Sequence, residues 1–104
     1  MPRDTSPTDL ESKAEEVSRL LAAMANPTRL IVLCYLLDGE RTVSELTKIA
    51  GLSQGALSQH LAKMRALDLV GTRREGQNIH YRLASRQVRA LLATLYRLYC
   101  QLDR

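Results

Sequence analysis

The segment from Leu30 to Leu37 contains no charged residue and constrains the fold more than any other feature of the sequence. Asn26 and Pro27 precede it, a helix-capping residue followed by a residue favoured at the first helical position. Gly39 follows it as a typical helix terminator. A helix that is apolar on nearly every side is buried at the centre of its domain. The segment therefore predicts a central helix from Thr28 to Asp38, far shorter than the ~20 residues of a membrane span.

Length and composition limit the chain to one small globular domain. Its 104 residues leave no room for a second core, and 45% apolar with 25% charged residues is ordinary globular composition. We expect residues 1–8 to form a mobile tail and residues 9–104 to form the domain. Neither a membrane span nor a signal peptide is recognisable, so the sequence predicts a cytoplasmic protein that does not bind membranes.

Capping residues and hydrophobic spacing predict four further helices and one β-hairpin. In the hairpin, alternation directs Asn78, His80 and Arg82 toward solvent and the residues between them toward the core. The expected fold is mainly α with a small β-hairpin, in the order helix, helix, helix-turn-helix, hairpin, helix, which is a winged helix-turn-helix. The further helices are a first one from the Thr8 cap to Ala25, Val43–Ala50, one from the Ser53 cap to Leu67, and one from the Ser85 cap to the C-terminus; the strands are Leu69–Arg74 and Asn78–Leu83.

The two short helices on either side of Gly51 predict a DNA-binding helix-turn-helix. Leu57, Leu61 and Met64 define the buried face of the second helix, so its polar residues point outward and can bind base edges in a major groove. Polar residues at the hairpin tip are typical of a wing that contacts phosphates or the minor groove. The candidate DNA-binding residues are Ser53, Gln54, Gly55, Ser58, Gln59, His60 and Lys63 in the helix, and Arg73, Arg74 and Gln77 in the wing.

The distribution of charge also favours a polyanionic partner. Residues 41–82 carry seven basic and three acidic side chains, whereas residues 1–25 carry three basic and five acidic ones. A basic segment in a small domain is typical of nucleic-acid binding, although a solvated basic face has the same composition. The sequence shows no phosphate-binding loop, no nucleophile–base pair and no metal-ligand cluster. We therefore expect double-stranded DNA as the partner, no cofactor and no enzymatic activity.

Several stretches of the sequence resemble the ArsR/SmtB family of winged-helix repressors, and the resemblance extends over roughly residues 14–102. It implies a homodimer that binds a pseudo-palindromic DNA operator. The stretches that carry it are Ala25–Leu30, Leu52–Leu61 and Arg73–Tyr81, while Ile31–Cys34 and Leu98–Gln101 are similar to the thiol-based branch of the family (HlyU/BigR/SqrR-like).

The resemblance to the thiol-based branch implies roles for the two cysteines. In that branch one cysteine in the second helix and one in the last sense oxidants or reactive sulfur species. Carried over to this sequence, Cys34 and Cys100 are the redox-sensing residues, and bridging them releases the DNA. Metal-sensing members instead place ligands at the start of the third helix or on the last helix. This chain has Arg41–Leu46 at the first position and no histidine in Ser85–Arg104, so we expect no metal site.

The residues alone leave a passive role open for both cysteines. Cys34 shares a helix face with Leu33 and Leu37, as a small core residue does. Cys100 follows Arg97 by three positions, and a nearby cation favours the reactive thiolate. Two functions therefore remain: a thiol-responsive repressor, or a DNA-binding protein that relieves silencing while its cysteines are passive.

The last predicted helix carries an apolar stripe of about four turns, too long to be covered by so small a core. The first helix offers a second stripe. We therefore expect a homodimer built from these two helices. The candidate interface residues are Val17, Leu20 and Leu21 in the first helix, and Val88, Leu91, Leu92, Leu95, Leu98, Tyr99 and Leu102 in the last.

Overall fold

The computed structural model describes residues 7–100, which form five α-helices and a small antiparallel sheet. The predictions for residues 1–6 and for Leu102 lie outside the described residues, whereas the predicted tail over residues 1–8 and the helix start at a Thr8 cap are wrong at Pro7 and Thr8, which already belong to the first helix. The elements are α1 (Pro7–Met24), α2 (Pro27–Tyr35), which is continued by a 3₁₀ turn (Leu36–Asp38), β1 (Arg41–Thr42), α3 (Val43–Ala50), α4 (Gln54–Ala66), β2 (Val70–Glu75), β3 (Asn78–Leu83) and α5 (Arg86–Tyr99).

Side-chain caps fix the starts of four helices where the sequence predicts them. Asn26 Oδ1 accepts a hydrogen bond from a backbone N–H in the first turn of α2 at 3.1 Å. Ser53 and Ser85 cap α4 and α5 in the same way. Thr42 and Glu45 form a reciprocal capping box at the start of α3, with distances of 3.1 and 2.8 Å. These four helix starts are confirmed.

The hairpin belongs to a three-stranded sheet with the order β1-β3-β2. β2 and β3 pair along their whole length, from Val70 opposite Leu83 to Glu75 opposite Asn78. The sequence analysis missed β1, which lies antiparallel to β3. A strand of two residues has no alternating pattern to detect. Because β1 leads directly into α3, it attaches the hairpin to the helix-turn-helix.

The core lies around α2, but α2 is not enclosed on every side as predicted. Ile31 and Tyr35 lie one turn apart on the same edge of the helix and are each 45% exposed, so the prediction of burial all round is wrong for this edge. The core side chains with at most 2% of their surface exposed are Val32, Leu33, Leu36, Leu46, Leu57, Leu61, Met64, Leu69, Val70, Val88 and Leu92.

Within residues 7–100, no single helix has both the length and the apolarity that crossing a membrane requires. The segments Glu11–Met24 and Pro27–Asp38 meet that requirement only when they are taken together, and the chain bends by 90° between them.

Candidate nucleic-acid interface

The predicted recognition helix α4 presents a polar face to solvent. Leu57, Leu61 and Met64 turn into the core, as their spacing predicts, and Gly51 makes the turn from α3 with a left-handed φ of 68°. The opposite face is open and suited to a DNA groove, because most of its side chains can donate or accept hydrogen bonds. The exposed residues of this face are Ser53, Gln54, Gly55, Ser58, Gln59 and Lys63.

Ser58 and Gly55, near the start of α4, affect which hydrogen bonds the helix offers to a ligand and how closely that ligand can approach. The Ser58 hydroxyl donates to the Gln54 carbonyl at 2.8 Å, which leaves its oxygen lone pairs as acceptors toward solvent. A Cβ atom built on Gly55 has no neighbour within 4 Å. The space beside Gly55 is therefore available to a partner that approaches the helix backbone closely.

The sequence predicted that Arg73 and Arg74 both contact DNA, but in the structure the two arginines differ in their ion-pair partners. Arg73 Nε donates to Glu40 Oε1 at 2.8 Å, and Arg73 Nη1 lies 3.5 Å from Glu75 Oε1. The hydrogen bond that Arg73 donates to Glu40, with smaller effects from Glu75, raises the pKa of Arg73 above its ordinary value. Arg74 alternates to the other face of β2 and is exposed, without a carboxylate partner among residues 7–100. Arg73 thus braces the wing, while Arg74 is available to a polyanion.

His80 lies on the polar face of the hairpin that alternation predicted, but it is half buried there rather than fully open to solvent. Its Nε2 lies 3.3 Å from Glu75 Oε1, and its side chain is 18% exposed. His80 also lies directly opposite Arg73 on β2. Because residues directly opposite each other in an antiparallel pair point to the same face, His80 lies on the face of Arg73 and Glu75, and the Glu75 carboxylate covers part of its ring there.

An open groove of about 370 Å³ separates the helix-turn-helix from the wing. Ser44 and Thr47 of α3 and Gln54 of α4 line one side. Gln77 and Asn78 at the hairpin tip line the other side. Gln77 therefore lies across the groove from Gln54 of α4, and both belong to the predicted DNA-binding residues. The groove is rich in hydrogen-bonding groups.

His60 lies at the edge of the recognition helix and contacts a residue that the sequence analysis did not single out. Its ring is half buried, and its Nδ1 lies 3.5 Å from Arg29 Nη1 at the start of α2. Arg29 Nε also donates to the Ala23 carbonyl of α1 at 2.7 Å. No local sequence pattern links residues 31 positions apart, so Arg29 carries no signal that periodicity or capping could reveal.

The two cysteines occupy different environments. Cys34 is half buried against the core on α2, and Cys100 is exposed at the end of α5. Burial raises the pKa of the Cys34 thiol, and negative charge at Cys100 raises it further. Since α2 packs against α5, both thiols belong to one region of the protomer.

The apolar stripe of α5 is divided between the core of the protomer and solvent. Val88 and Leu92 are fully buried within the protomer and have no surface to offer a partner, so they are removed from the candidate interface and assigned to the core. Leu20 and Leu95 are half buried. The exposed remainder of the candidate set is Val17, Leu21, Leu91, Leu98 and Tyr99.

A helix-turn-helix with an exposed polar helix and a basic hairpin at its side is a winged-helix DNA-binding protein. The family model described as bacterial regulatory protein, arsR family, matches residues 26–72, from the cap of α2 into β2. The chain is 50% identical over 93 residues to the transcriptional activator HlyU of Vibrio cholerae, which covers 89% of this chain and 86% of the relative.

Solved structures agree with this assignment. Reduced HlyU from Vibrio cholerae matches with a TM-score of 0.85 and 49% identity, covering 88% of this chain and 97% of that one. The transcriptional repressor BigR from Xylella fastidiosa has a TM-score of 0.82 and 38% identity, with coverages of 92% and 98%. A homodimeric winged helix-turn-helix DNA-binding domain from Mycobacterium bovis has a TM-score of 0.77 and 30% identity, with coverages of 93% and 89%.

The chain belongs to the ArsR family, and it is a DNA-binding transcriptional regulator rather than an enzyme. The winged helix-turn-helix predicted from the sequence is confirmed.

Proposed function

We propose that this regulator is a homodimeric repressor that releases its operator when Cys34 and Cys100 are oxidised or bridged by reactive sulfur species. The observation that carries the proposal is the position of the two thiols on helices that pack together. Proximity is needed because the Cβ atoms of a disulfide lie about 4 Å apart.

The two thiols have different tasks in the proposed reaction. With hydrogen peroxide, exposed Cys100 forms a sulfenic acid and releases one water, and Cys34 then displaces a second water to close the disulfide. With an organic persulfide, Cys100 takes up the sulfane sulfur and the organic thiol leaves. Attack by Cys34 on the Cys100 sulfur then gives the same disulfide and releases hydrogen sulfide. When both cysteines are persulfidated first, the bridge retains an additional sulfur atom.

A second copy of the chain is the proposed partner for the exposed apolar residues of α1 and α5. Leu21 is 48% exposed, Leu98 is 51% exposed, and Tyr99 next to Leu98 is 75% exposed. Burying large apolar side chains stabilises association by about 1.5–3 kcal/mol each when burial is complete. To bind successive major grooves, the two recognition helices of the proposed dimer need to lie one turn of DNA apart, roughly 34 Å.

The proposed DNA contacts of each residue follow from the exposure of its side chain and from the hydrogen bonds that the side chain can make. Gln54, Ser58 and Gln59 read base edges, while Arg74 contacts phosphates or the minor groove. Gln59→Ala is expected to lose about 1–3 kcal/mol on the true operator and to relax discrimination among operator variants. Binding titrations with the operator and with random duplexes measure both effects. An equal loss on both duplexes would contradict base reading by Gln59.

A second function is favoured by the chemistry of Cys34. Burial keeps this thiol protonated to a higher pH than usual, which makes it a weak nucleophile at neutral pH. In that case the chain binds DNA with passive cysteines and acts by displacing a silencing protein. The 50% identical relative HlyU is named a transcriptional activator, which is compatible with such a role.

One comparison separates the two functions. A duplex selected from a random library by the reduced protein is titrated with reduced, peroxide-treated and persulfide-treated protein. The repressor function predicts that both treatments abolish DNA binding by the wild type. The same treatments should not weaken DNA binding by Cys34→Ser or Cys100→Ser. Mass spectrometry then distinguishes a disulfide, which loses two hydrogens, from longer bridges, which gain whole sulfur atoms. Unchanged affinity in all three wild-type samples would leave only the second function.

A further inference from the structure

Arg29 connects three helices through one guanidinium group. It lies in the first turn of α2, and its Nε donates to the Ala23 carbonyl in the last turn of α1 at 2.7 Å. Its Nη1 lies 3.5 Å from Nδ1 of His60 on α4. Because Arg29 is itself half buried, its side chain has a fixed position between the end of α1 and the recognition helix.

The contact with Arg29 favours one of the two neutral tautomers of His60. A guanidinium group has N–H donors and no acceptor, so Nδ1 of His60 must accept the hydrogen bond. A neutral imidazole whose Nδ1 is an acceptor carries its proton on Nε2. The ring is only half buried and therefore keeps an accessible edge.

We propose that Arg29 is a positioning residue for DNA binding, which holds His60 in the tautomer whose Nε2–H donates to a phosphate oxygen at the edge of the groove. The inference rests on the proposed role of α4 as the recognition helix. His60 directly follows Gln59 on α4, but its shorter and half-buried side chain reaches less far than that of Gln59. A phosphate oxygen beside the groove is therefore the acceptor that fits this position, while Gln59 reaches the bases.

The tautomer is measured on the protein without DNA, so this test does not depend on the proposed function. At about pH 8.5, where an imidazole carries one proton, the ¹⁵N shifts of His60 are expected to show protonated Nε2 and unprotonated Nδ1. Arg29→Met is expected to shift the ring toward a mixture of tautomers. Arg29→Lys, a milder variant, keeps the charge but loses the forked donor that reaches both partners, and should do the same. A wild-type His60 protonated on Nδ1, or an Arg29→Met spectrum identical to the wild type, would overturn the proposal.

The consequence for DNA is tested by replacing His60 with two amides. Gln places an N–H donor near the Nε2 position without the acceptor for Arg29, whereas Asn keeps an acceptor near the Nδ1 position and lacks the distal donor. We expect His60→Gln to bind the selected duplex within about threefold of the wild type and His60→Asn to lose about tenfold. The reverse order would refute donation from Nε2.

A double-mutant cycle connects the two residues. Arg29→Met is expected to weaken DNA binding about tenfold in the wild type but less than about threefold in the His60→Gln background, because a glutamine needs no tautomer to be selected. Arg65→Met is the matched control. Arg65 is exposed on α4, the helix that carries His60, and its replacement removes the same charge as Arg29→Met. Its effect should be equal in both backgrounds. Equal effects of Arg29→Met in the two backgrounds would contradict the coupling.

Discussion

Replacing Arg74 by alanine tests whether the wing contacts DNA phosphates. Arg74 is exposed near the hairpin tip and lacks a carboxylate partner among the described residues, so its full charge is available to the DNA. Each neutralised phosphate contributes about 0.9 to the slope of log K against log salt concentration. Two wings in the proposed dimer then contribute about 1.8 to the slope. When salt rises from about 50 to about 200 mM, the factor by which affinity falls should therefore be about twelve times smaller for Arg74→Ala than for the wild type. Specific and random duplexes should lose affinity alike.

Arg73→Ala is the matched control because it removes the same charge from the neighbouring position. Arg73 is already bound to Glu40 at 2.8 Å and lies 3.5 Å from Glu75, so it displaces few counterions from DNA. Its removal should change the salt slope by less than about half of the Arg74 effect. Fluorescence anisotropy titrations at four or five salt concentrations give both slopes. Equal slopes for the two variants would refute the assignment of different roles to these arginines.

Three further outcomes follow from the described geometry. Gly55→Ala should leave the thermal stability equal or higher, since alanine is a better helix former by up to about 1 kcal/mol, and should weaken DNA binding by filling the open space beside the helix. Alkylation of Cys34, followed by mass spectrometry, should be slower at neutral pH than that of an ordinary thiol and should rise with pH, because the raised pKa leaves a smaller fraction of thiolate at any given pH. Cys100→Ser removes the smaller cause of that shift and should speed the reaction at a given pH. Leu21→Glu combined with Leu98→Glu should give folded monomers in sedimentation velocity, and a persistent dimer would exclude this face as the interface.

The parts of the fold that the sequence predicted correctly depend on local interactions. Each of the caps at Asn26, Thr42, Ser53 and Ser85 joins residues three positions apart, so the residue types and their spacing are sufficient to place a helix start. The outward face of α4 follows from the spacing of its buried leucines in the same way. Local patterns therefore located α4 and its exposed polar face.

The parts that the sequence could not predict depend on contacts between distant positions. Arg73 meets Glu40 across 33 positions, and this contact decides which wing arginine is available to DNA. The stripe of α5 looks uniform in sequence, yet Val88 and Leu92 face the protomer core while Leu98 faces solvent. Periodicity marks an apolar face but does not say which neighbour covers it, because that depends on the three-dimensional packing of the other helices.

The short helix α2 provides a physical connection between the thiols and the recognition helix. Arg29 and Cys34 lie five residues apart on it, which corresponds to about 7.5 Å along the helix axis. If the Cys34–Cys100 bridge displaces α2 as one unit, it also displaces Arg29 from His60. We therefore expect the bridged protein to lose the single-tautomer ¹⁵N pattern of His60. Peroxide treatment of Cys34→Ser should leave that pattern intact. A bridged protein that has released its DNA but retains the pattern would show that the thiols act on the recognition helices by another route, through α5 and the relative placement of the two protomers.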